Sequence, residues 1–203
     1  MIDAYLTLKE PVTSRLARKK SRFIGLLSPV STTSAVEETL QRVRQQHHDA
    51  AHHCYAYRLM GDSGPIVYTN DAGEPAGSAG GPILQQVEAT DLYDVLAIVV
   101  RYFGGKKLGL GGLIRAYGDT VKDALGDATI VERQRTVRLA IDFPPEMSAN
   151  IMRLVHRHTT EVETVRYDSE AHLLVTLPPS QLQAFVEALQ EASRAQARWK
   201  EIR

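Results

Sequence analysis

The first candidate for chemistry is a glycine-rich loop that carries two lysines. It joins an apolar run, residues 95–100, to residues 113–125, which have the 3.6-residue periodicity of an amphipathic helix. The loop and its flanking arginines comprise Arg101, Gly104, Gly105, Lys106, Lys107, Gly109, Gly111, Gly112 and Arg115. A turn of this kind presents backbone N–H groups at the positive end of a helix dipole, where phosphate or a carboxylate binds well. These residues are therefore a candidate anion-binding site.

This loop matches neither of the common phosphate-binding motifs. A P-loop requires Gly, four residues and then Gly-Lys-Ser/Thr, but Gly105-Lys106 is followed by Lys107. A dinucleotide fingerprint that begins at Gly109 would place Ile114 where a small residue is needed. Close packing between strand and helix, with the lysines in solvent, explains the glycines equally well. The sequence leaves both interpretations open.

A second loop, residues 70–82, consists of small, acidic and ring-constrained residues. The candidate site residues there are Asp71, Gly73, Glu74, Gly77 and Ser78, with His52 from an earlier segment. The two carboxylates could form an acid/base pair or bind a metal, although carboxylates in loops more often close turns and cap helices. We favour the structural role and expect no metal and no cofactor. Ser78 is expected to cap the helix that follows this loop.

His52 and Cys54 lie on one face of a predicted strand, so they could meet as a base and a nucleophile. A reactive thiol also needs a lowered pKa and a third group that orients the base, and the sequence supplies neither. Free cysteine is among the most buried residue types, so a small buried side chain is the favoured interpretation. No catalytic residue is assigned.

The densest basic cluster lies between two short predicted strands, residues 5–9 and 21–27. It comprises Arg15, Arg18, Lys19, Lys20 and Arg22. A run of this kind is usually a solvated turn or a sheet edge, which is the interpretation that we favour. The alternative is contact with a polyanion such as RNA.

Composition places limits on the class of protein. The 203 residues suffice for one or two domains. The 24 basic residues balance 24 acidic ones, which excludes a uniformly basic nucleic-acid-binding module but not a local basic patch. Cys54 is the only cysteine, which excludes an internal disulfide and fits a reducing cytoplasm. No apolar run reaches transmembrane length and no signal peptide is recognisable, so we expect a cytoplasmic protein without a membrane partner.

The pattern of strands and helices predicts an α+β fold with two domains, residues 1–133 and 134–203, joined near residues 131–135. The first contains a helix that residues 31–34 cap and that runs to residue 46, and a buried strand at 95–100. The second has strands at 136–141, 161–167, 173–177 and 197–202, with helices at 147–158 and after Pro178-Pro179-Ser180. This βαββαβ order predicts a ferredoxin-like domain.

Several of these stretches together resemble the IMPACT family, in particular its bacterial, YigZ-like members. The matching segments are residues 71–80, 99–105, 107–109 and 111–113, with further matches at 21–23 and 52–56. Ala72 stands where the family usually has a second Asp, Ser78 where Thr is common, and Gly81 where a larger residue is frequent. The missing acid weakens the case for a metal site further.

The resemblance implies an N-terminal domain similar to a ribosomal small-subunit protein and to domain IV of elongation factor G. It implies a C-terminal domain similar to the last domain of that factor. The implied function is a non-catalytic binding protein in translation or its regulation that contacts RNA, the ribosome or translation factors. In that case the basic cluster, Arg101, Lys106, Lys107 and Arg115 contact backbone phosphates, without recognition of DNA sequence.

A second class of function also stays open. The chain could be an enzyme or small-ligand protein that binds a phosphorylated or other anionic metabolite at the glycine loop. His52, Asp71 and Glu74 would then be its candidate acid/base groups.

Overall fold

The computed structural model describes residues 2–62, 64–159 and 161–202. These form two compact units, one comprising Leu6–Glu132 and the other comprising Arg133–Arg203 together with the first five residues. The start of the chain joins the second of these units because Asp3 accepts hydrogen bonds from the backbone N–H groups of Arg135 (2.7 Å) and Ser180 (2.8 Å). Strands and helices are mixed in both units, so the predicted mixed α/β class is confirmed.

The first part of the chain contains seven strands and three helices among the described residues. In order they are β1 (Ala4–Leu8), β2 (Val12–Arg18), β3 (Ser21–Pro29), α1 (Thr33–Gln46), β4 (His52–Gly61), β5 (Gly64–Asn70), α2 (Gly80–Ala89), β6 (Val95–Tyr102), α3 (Leu110–Gly126) and β7 (Ile130–Gln134). An antiparallel five-stranded sheet has the order β2-β3-β6-β4-β5, and β1 pairs with β7.

Strand β6 is the centre of this sheet. Its residues 95–100 are all buried because both faces of the strand are covered. Val95, Ala97 and Val99 pack into the core cluster that contains α2 and α3, while the alternate residues join the cluster that contains α1. The prediction of a central strand buried on both faces is therefore confirmed, and its end at Tyr102 leads into the glycine loop.

The basic cluster lies on a hairpin at the edge of this sheet. The sequence indicated strands on both sides of the cluster but missed β2, whose residues are mostly polar and half-exposed. Lys19 and Lys20 form the two-residue turn, with φ values of 45° and 69° that match a type I′ hairpin. The favoured interpretation of the cluster as a solvated turn and sheet edge agrees with this placement.

The second unit has the element order that the sequence predicted. Its elements are β8 (Val137–Phe143), α4 (Ser148–His158), β9 (Glu161–Tyr167), β10 (Ala171–Leu177), α5 (Leu182–Ala192) and β11 (Arg198–Ile202). The antiparallel sheet has the order β11-β8-β10-β9. Leu139, Ile141 and Phe143 of β8 share one buried cluster with α4 and α5, so both helices cover the same face of the sheet. This arrangement is the split βαββαβ motif.

Candidate functional site

The two glycine-rich stretches meet at a buried ion pair. Arg101 near the end of β6 donates from Nη1 to Oε1 of Glu74, in the loop between β5 and α2, at 2.5 Å. The two side chains are only 5% and 4% exposed. The sequence grouped Arg101 with the loop lysines as an anion contact, but its guanidinium is buried and neutralised by Glu74. Arg101 therefore fixes the second loop to the central strand.

Two further side chains complete this buried cluster. Tyr117 of α3 donates its hydroxyl hydrogen to Glu74 Oε1 at 2.7 Å. Cys54 Sγ lies 3.3 Å from Tyr117 Oη and 3.0 Å from the carbonyl oxygen of Asp71. Burial raises the pKa of the Cys54 thiol to about 12 and raises the pKa of Tyr117 as well. Cys54 is completely buried, so its favoured interpretation as a buried side chain is confirmed. A thiol with this pKa is protonated at neutral pH.

His52 connects this cluster to solvent. Its Nδ1 lies 2.9 Å from the carbonyl oxygen of Ala72, so Nδ1 carries a hydrogen and donates it. The other ring nitrogen, Nε2, lies 3.9 Å from Glu74 Oε1, and the side chain is 24% exposed. Gly73 has a φ of 86°, and a Cβ there would lie 3.4 Å from His52 Nδ1. That distance is an ordinary van der Waals contact, so it is the positive φ that favours glycine at this position.

Asp71 caps helix α2. Its carboxylate accepts hydrogen bonds from the backbone N–H groups of Gly77 (2.8 Å), Ala79 (2.9 Å) and Gly80 (2.8 Å). Burial alone would raise its pKa, but these three donors outweigh burial and hold the pKa below its ordinary value. The prediction that Ser78 caps this helix is wrong, because its buried Oγ has no partner among the described residues. Asp71 satisfies the free N–H groups instead.

The described residues contain no group of three or more His, Cys, Asp and Glu side chains placed to hold a metal ion. Asp71 is committed to α2, and Glu74 is bound by Arg101 and Tyr117. The described residues also include no helix long and apolar enough to cross a membrane.

The glycine loop begins by packing against the hairpin turn. A Cβ on Gly104 would lie 2.0 Å from the carbonyl carbon of Lys20, so no larger residue fits there. The backbone N–H of Gly104 donates to Ser21 Oγ at 3.2 Å, and Arg101 Nη2 donates to the same oxygen at 3.4 Å. At Gly104, the close-packing interpretation of the loop glycines therefore holds.

The remainder of the loop is open. Gly105 and Gly109 adopt φ values of 82° and 75°, and a Cβ on either would meet nothing within 4 Å. Gly109 is the N-cap of α3, and no side chain of the described residues caps this helix. Lys106 and Lys107 are exposed, and Gly111 and Gly112 lie in the first turn of α3. The first turn of α3 thus has no capping carboxylate among the described residues, whereas the start of α2 is filled by Asp71.

The hairpin and the start of α3 come together on one surface. Arg18, Lys19, Gly112 and Arg115 line a shallow cavity of about 280 Å³. Asp119 of α3 also lines it and pairs with Arg18 at 3.5 Å. Of the other cluster residues, Lys20 is exposed in the turn, while Arg15 and Arg22 line a different cavity. The cluster that is continuous in sequence is therefore divided between two surfaces.

Comparison with known proteins gives consistent matches along the chain. Residues 19–125 match the family model of the Impact N-terminal domain. The chain is 33% identical over 195 residues to the Escherichia coli protein named IMPACT family member YigZ, with 95% of each protein covered. It is 43% identical over 145 residues to Bacillus subtilis IMPACT family member YvyE, covering 70% of this chain and 66% of that protein. A solved structure described as a hypothetical protein is 31% identical, with a TM-score of 0.72 over 100% of this chain and 99% of the other.

Proposed function

This chain belongs to the IMPACT family, and we propose that it is a non-catalytic binding protein of the cytoplasm that acts in translation or its regulation. Its proposed partner is RNA, on the ribosome or together with a translation factor. The likeness to a ribosomal protein and to elongation factor G domains that the family resemblance implies, including a ferredoxin-like second domain, motivates this setting. Binding to RNA requires a cationic surface on this protein, because the phosphate backbone of RNA is anionic.

The observation that carries this proposal is the convergence of two basic segments distant in sequence. Lys19 of the hairpin and Arg115 of α3 line the same cavity, next to the first turn of α3, which no side chain in the described part of the chain caps. Lys106 and Lys107 are exposed in the loop that leads into that turn. Lysine, arginine and free backbone N–H groups are the donors that proteins use on phosphate oxygens. We call Lys19, Lys106, Lys107 and Arg115 the loop surface.

The side chains that an enzyme could use as acid, base or nucleophile already have structural roles. Asp71 caps α2, Glu74 is neutralised by Arg101, and the high pKa of Cys54 removes a thiolate nucleophile. His52 Nε2 lies 3.9 Å from Glu74 Oε1, which is too long for a hydrogen bond, and Arg101 and Tyr117 already bind that oxygen. These commitments favour binding over the alternative of an enzyme or small-ligand protein for an anionic metabolite.

The test is binding of the purified protein to ribosomes and to structured RNA over a salt series. Two double variants remove charge from the loop surface, Lys106→Glu/Lys107→Glu and Lys19→Glu/Arg115→Glu. The matched control is Arg153→Glu/Arg157→Glu, which reverses two exposed charges on α4 of the other unit, a helix that contributes to neither basic surface of the hairpin. We expect binding that weakens with salt, and a salt slope that falls by about one for each phosphate contact removed.

The control variant is expected to bind like the wild type, which would exclude a general effect of net charge. Salt-independent binding, or binding that survives both loop-surface variants, would refute the proposal. If no RNA binds at low salt while a phosphorylated metabolite raises the melting temperature, the small-ligand alternative is correct.

A further inference from the structure

A groove of about 450 Å³ lies on the opposite face of the hairpin from the loop surface. Its polar lining is supplied by Arg15, Arg22, Asp49 and Tyr102. This volume lies within the range of small-molecule sites, which is about 300–1,000 Å³. The buried cluster around Glu74 contributes nothing to it, so the groove is a separate site.

The strand register explains why these side chains share one face. Arg15 is paired with Ile24, and Arg22 lies between Ala17 of β2 and Tyr102 of β6. Side chains of directly paired residues in a sheet project from the same face. Ile24 and Tyr102 pack beside the cluster that contains α1, so the groove opens on the α1 face of the sheet. Arg18 is three residues after Arg15 and therefore points to the other face, where it meets Asp119.

Tyr102 is held in a fixed orientation. Its hydroxyl donates to Asp49 Oδ1 at 3.3 Å, so the contact with His47 Nδ1 at 2.9 Å has the imidazole N–H as donor. The Arg22 guanidinium carbon lies 4.8 Å from the centroid of the Tyr102 ring. The guanidinium therefore lies over the face of the ring, so the exposed Arg22 plane, supported from below by Tyr102, is the surface on which a further planar group can stack.

We propose that this groove binds a nucleotide, presented as an unpaired residue of single-stranded RNA. The inference deepens the proposed function and rests on it. An unpaired base stacks on aromatic rings and on arginine guanidinium planes, which Tyr102 and Arg22 supply. Arg15 supplies the charge for the adjacent phosphate. A base inside a duplex is covered on both faces by its neighbours and cannot enter.

Asp49 gives the groove a preference among bases. An ionised carboxylate only accepts hydrogen bonds, so it favours the amino group of cytosine. Uracil carries a carbonyl oxygen at the same position, which the carboxylate repels. The expected order of affinity is therefore oligo(C) above oligo(U), two ligands that differ in this one group.

The experiment measures binding of the full chain to short oligo(C), oligo(U) and a duplex RNA by fluorescence anisotropy. Tyr102→Leu removes the ring, Tyr102→Phe keeps the ring without its hydroxyl, and Asp49→Asn removes the charge. Tyr68→Leu is the matched control, because Tyr68 is an exposed tyrosine on the same sheet face at the far edge of the sheet. Melting temperatures identify any variant that fails to fold.

We expect Tyr102→Leu to weaken single-strand binding about tenfold, the typical effect of losing one base–aromatic stack. Duplex binding and its salt slope stay unchanged, and Tyr102→Phe retains most of the single-strand affinity. Asp49→Asn abolishes the difference between oligo(C) and oligo(U). Tyr68→Leu binds like the wild type.

The outcomes separate this proposal from the proposed function. In one outcome the loop-surface variants lose RNA binding, while Tyr102→Leu changes neither single-strand nor duplex binding or weakens both equally. The groove is then not a nucleotide site, and the proposed function stands. If the wild type binds no RNA, the proposed function fails. Titration with free cytidine monophosphate then tests whether the groove binds a free nucleotide. Binding that Tyr102→Leu removes would identify a free-nucleotide site, and absence of binding would refute the groove as well.

Discussion

Replacing Glu74 by glutamine tests whether the buried ion pair holds the second loop to the central strand. The change keeps the shape of the side chain and an acceptor for the Tyr117 hydroxyl, but it leaves the Arg101 charge without a counter-charge. Both side chains of the pair are about one-twentieth exposed, so water cannot replace the lost carboxylate. Breaking a buried pair from one side costs about 3–5 kcal/mol, and we expect the low end, about 3 kcal/mol, because the amide still accepts a hydrogen bond.

The matched control is Asp119→Asn, which breaks the pair with Arg18. That pair spans 3.5 Å, and its side chains are 51% and 46% exposed. Exposed pairs of this kind contribute less than about 1 kcal/mol. The contrast between the two variants therefore isolates the effect of burial on an otherwise similar change.

A double variant, Arg101→Met/Glu74→Gln, separates loss of attraction from the cost of an unpaired charge. Removing both charges eliminates the uncompensated guanidinium, so the double variant should cost less than the sum of the single changes. Urea unfolding followed by far-ultraviolet circular dichroism measures these differences. The single tryptophan, Trp199, lies in the other unit and reports on that unit instead. A Glu74→Gln cost no larger than that of Asp119→Asn would refute the reasoning.

Three further predictions concern the cap of α2 and two glycines. Asp71→Asn should cost about 1 kcal/mol at neutral pH, where the cap is charged. Because the folded-state pKa of Asp71 is lowered, the stability difference between wild type and variant should be complete above pH 3.8, the ordinary pKa, and should shrink as the pH falls through the lower folded-state pKa. Urea midpoints of both proteins along a pH series measure this difference. A difference that is constant with pH would contradict the prediction. Gly104→Ala should cost about 2 kcal/mol or more, since its Cβ would lie 2.0 Å from the carbonyl carbon of Lys20. Gly126→Ala, where a Cβ meets nothing within 4 Å, should instead be neutral or stabilising by up to about 1 kcal/mol in the same unfolding assay.

The elements with a strong local signal were predictable. The run at 95–100 has no polar residue, so only a position buried on both faces suits it, and β6 occupies that position. The helical periodicity of residues 113–125 correctly placed Leu113, Tyr117 and Val121 on the inner face of α3. It was wrong for Ile114, which is exposed. The order of strands and helices in the second unit followed from the same periodicities.

The parts that were missed depend on long-range contacts or on weak amphipathicity. Strand β2 is an edge strand whose apolar residues are only half-buried, so its basic side chains dominated the pattern. Glu74 contacts Arg101 and Tyr117, which are 27 and 43 residues later, and no local pattern encodes such a contact. Asp71 caps α2 from nine residues before Gly80, which is outside the spacing of local capping motifs.

The position of β3 between β2 and β6 also determines when the sheet can be completed during synthesis. The hairpin leaves the ribosome before the other strands of its sheet, but a two-stranded hairpin alone is marginally stable in water. The strand that covers its inner edge, β6, is made only after α1, β4, β5 and α2. Until then both edges of the hairpin can pair with other nascent chains. The arginines and lysines at its tip repel such chains, so we expect the charge there to protect the unfinished fold from aggregation.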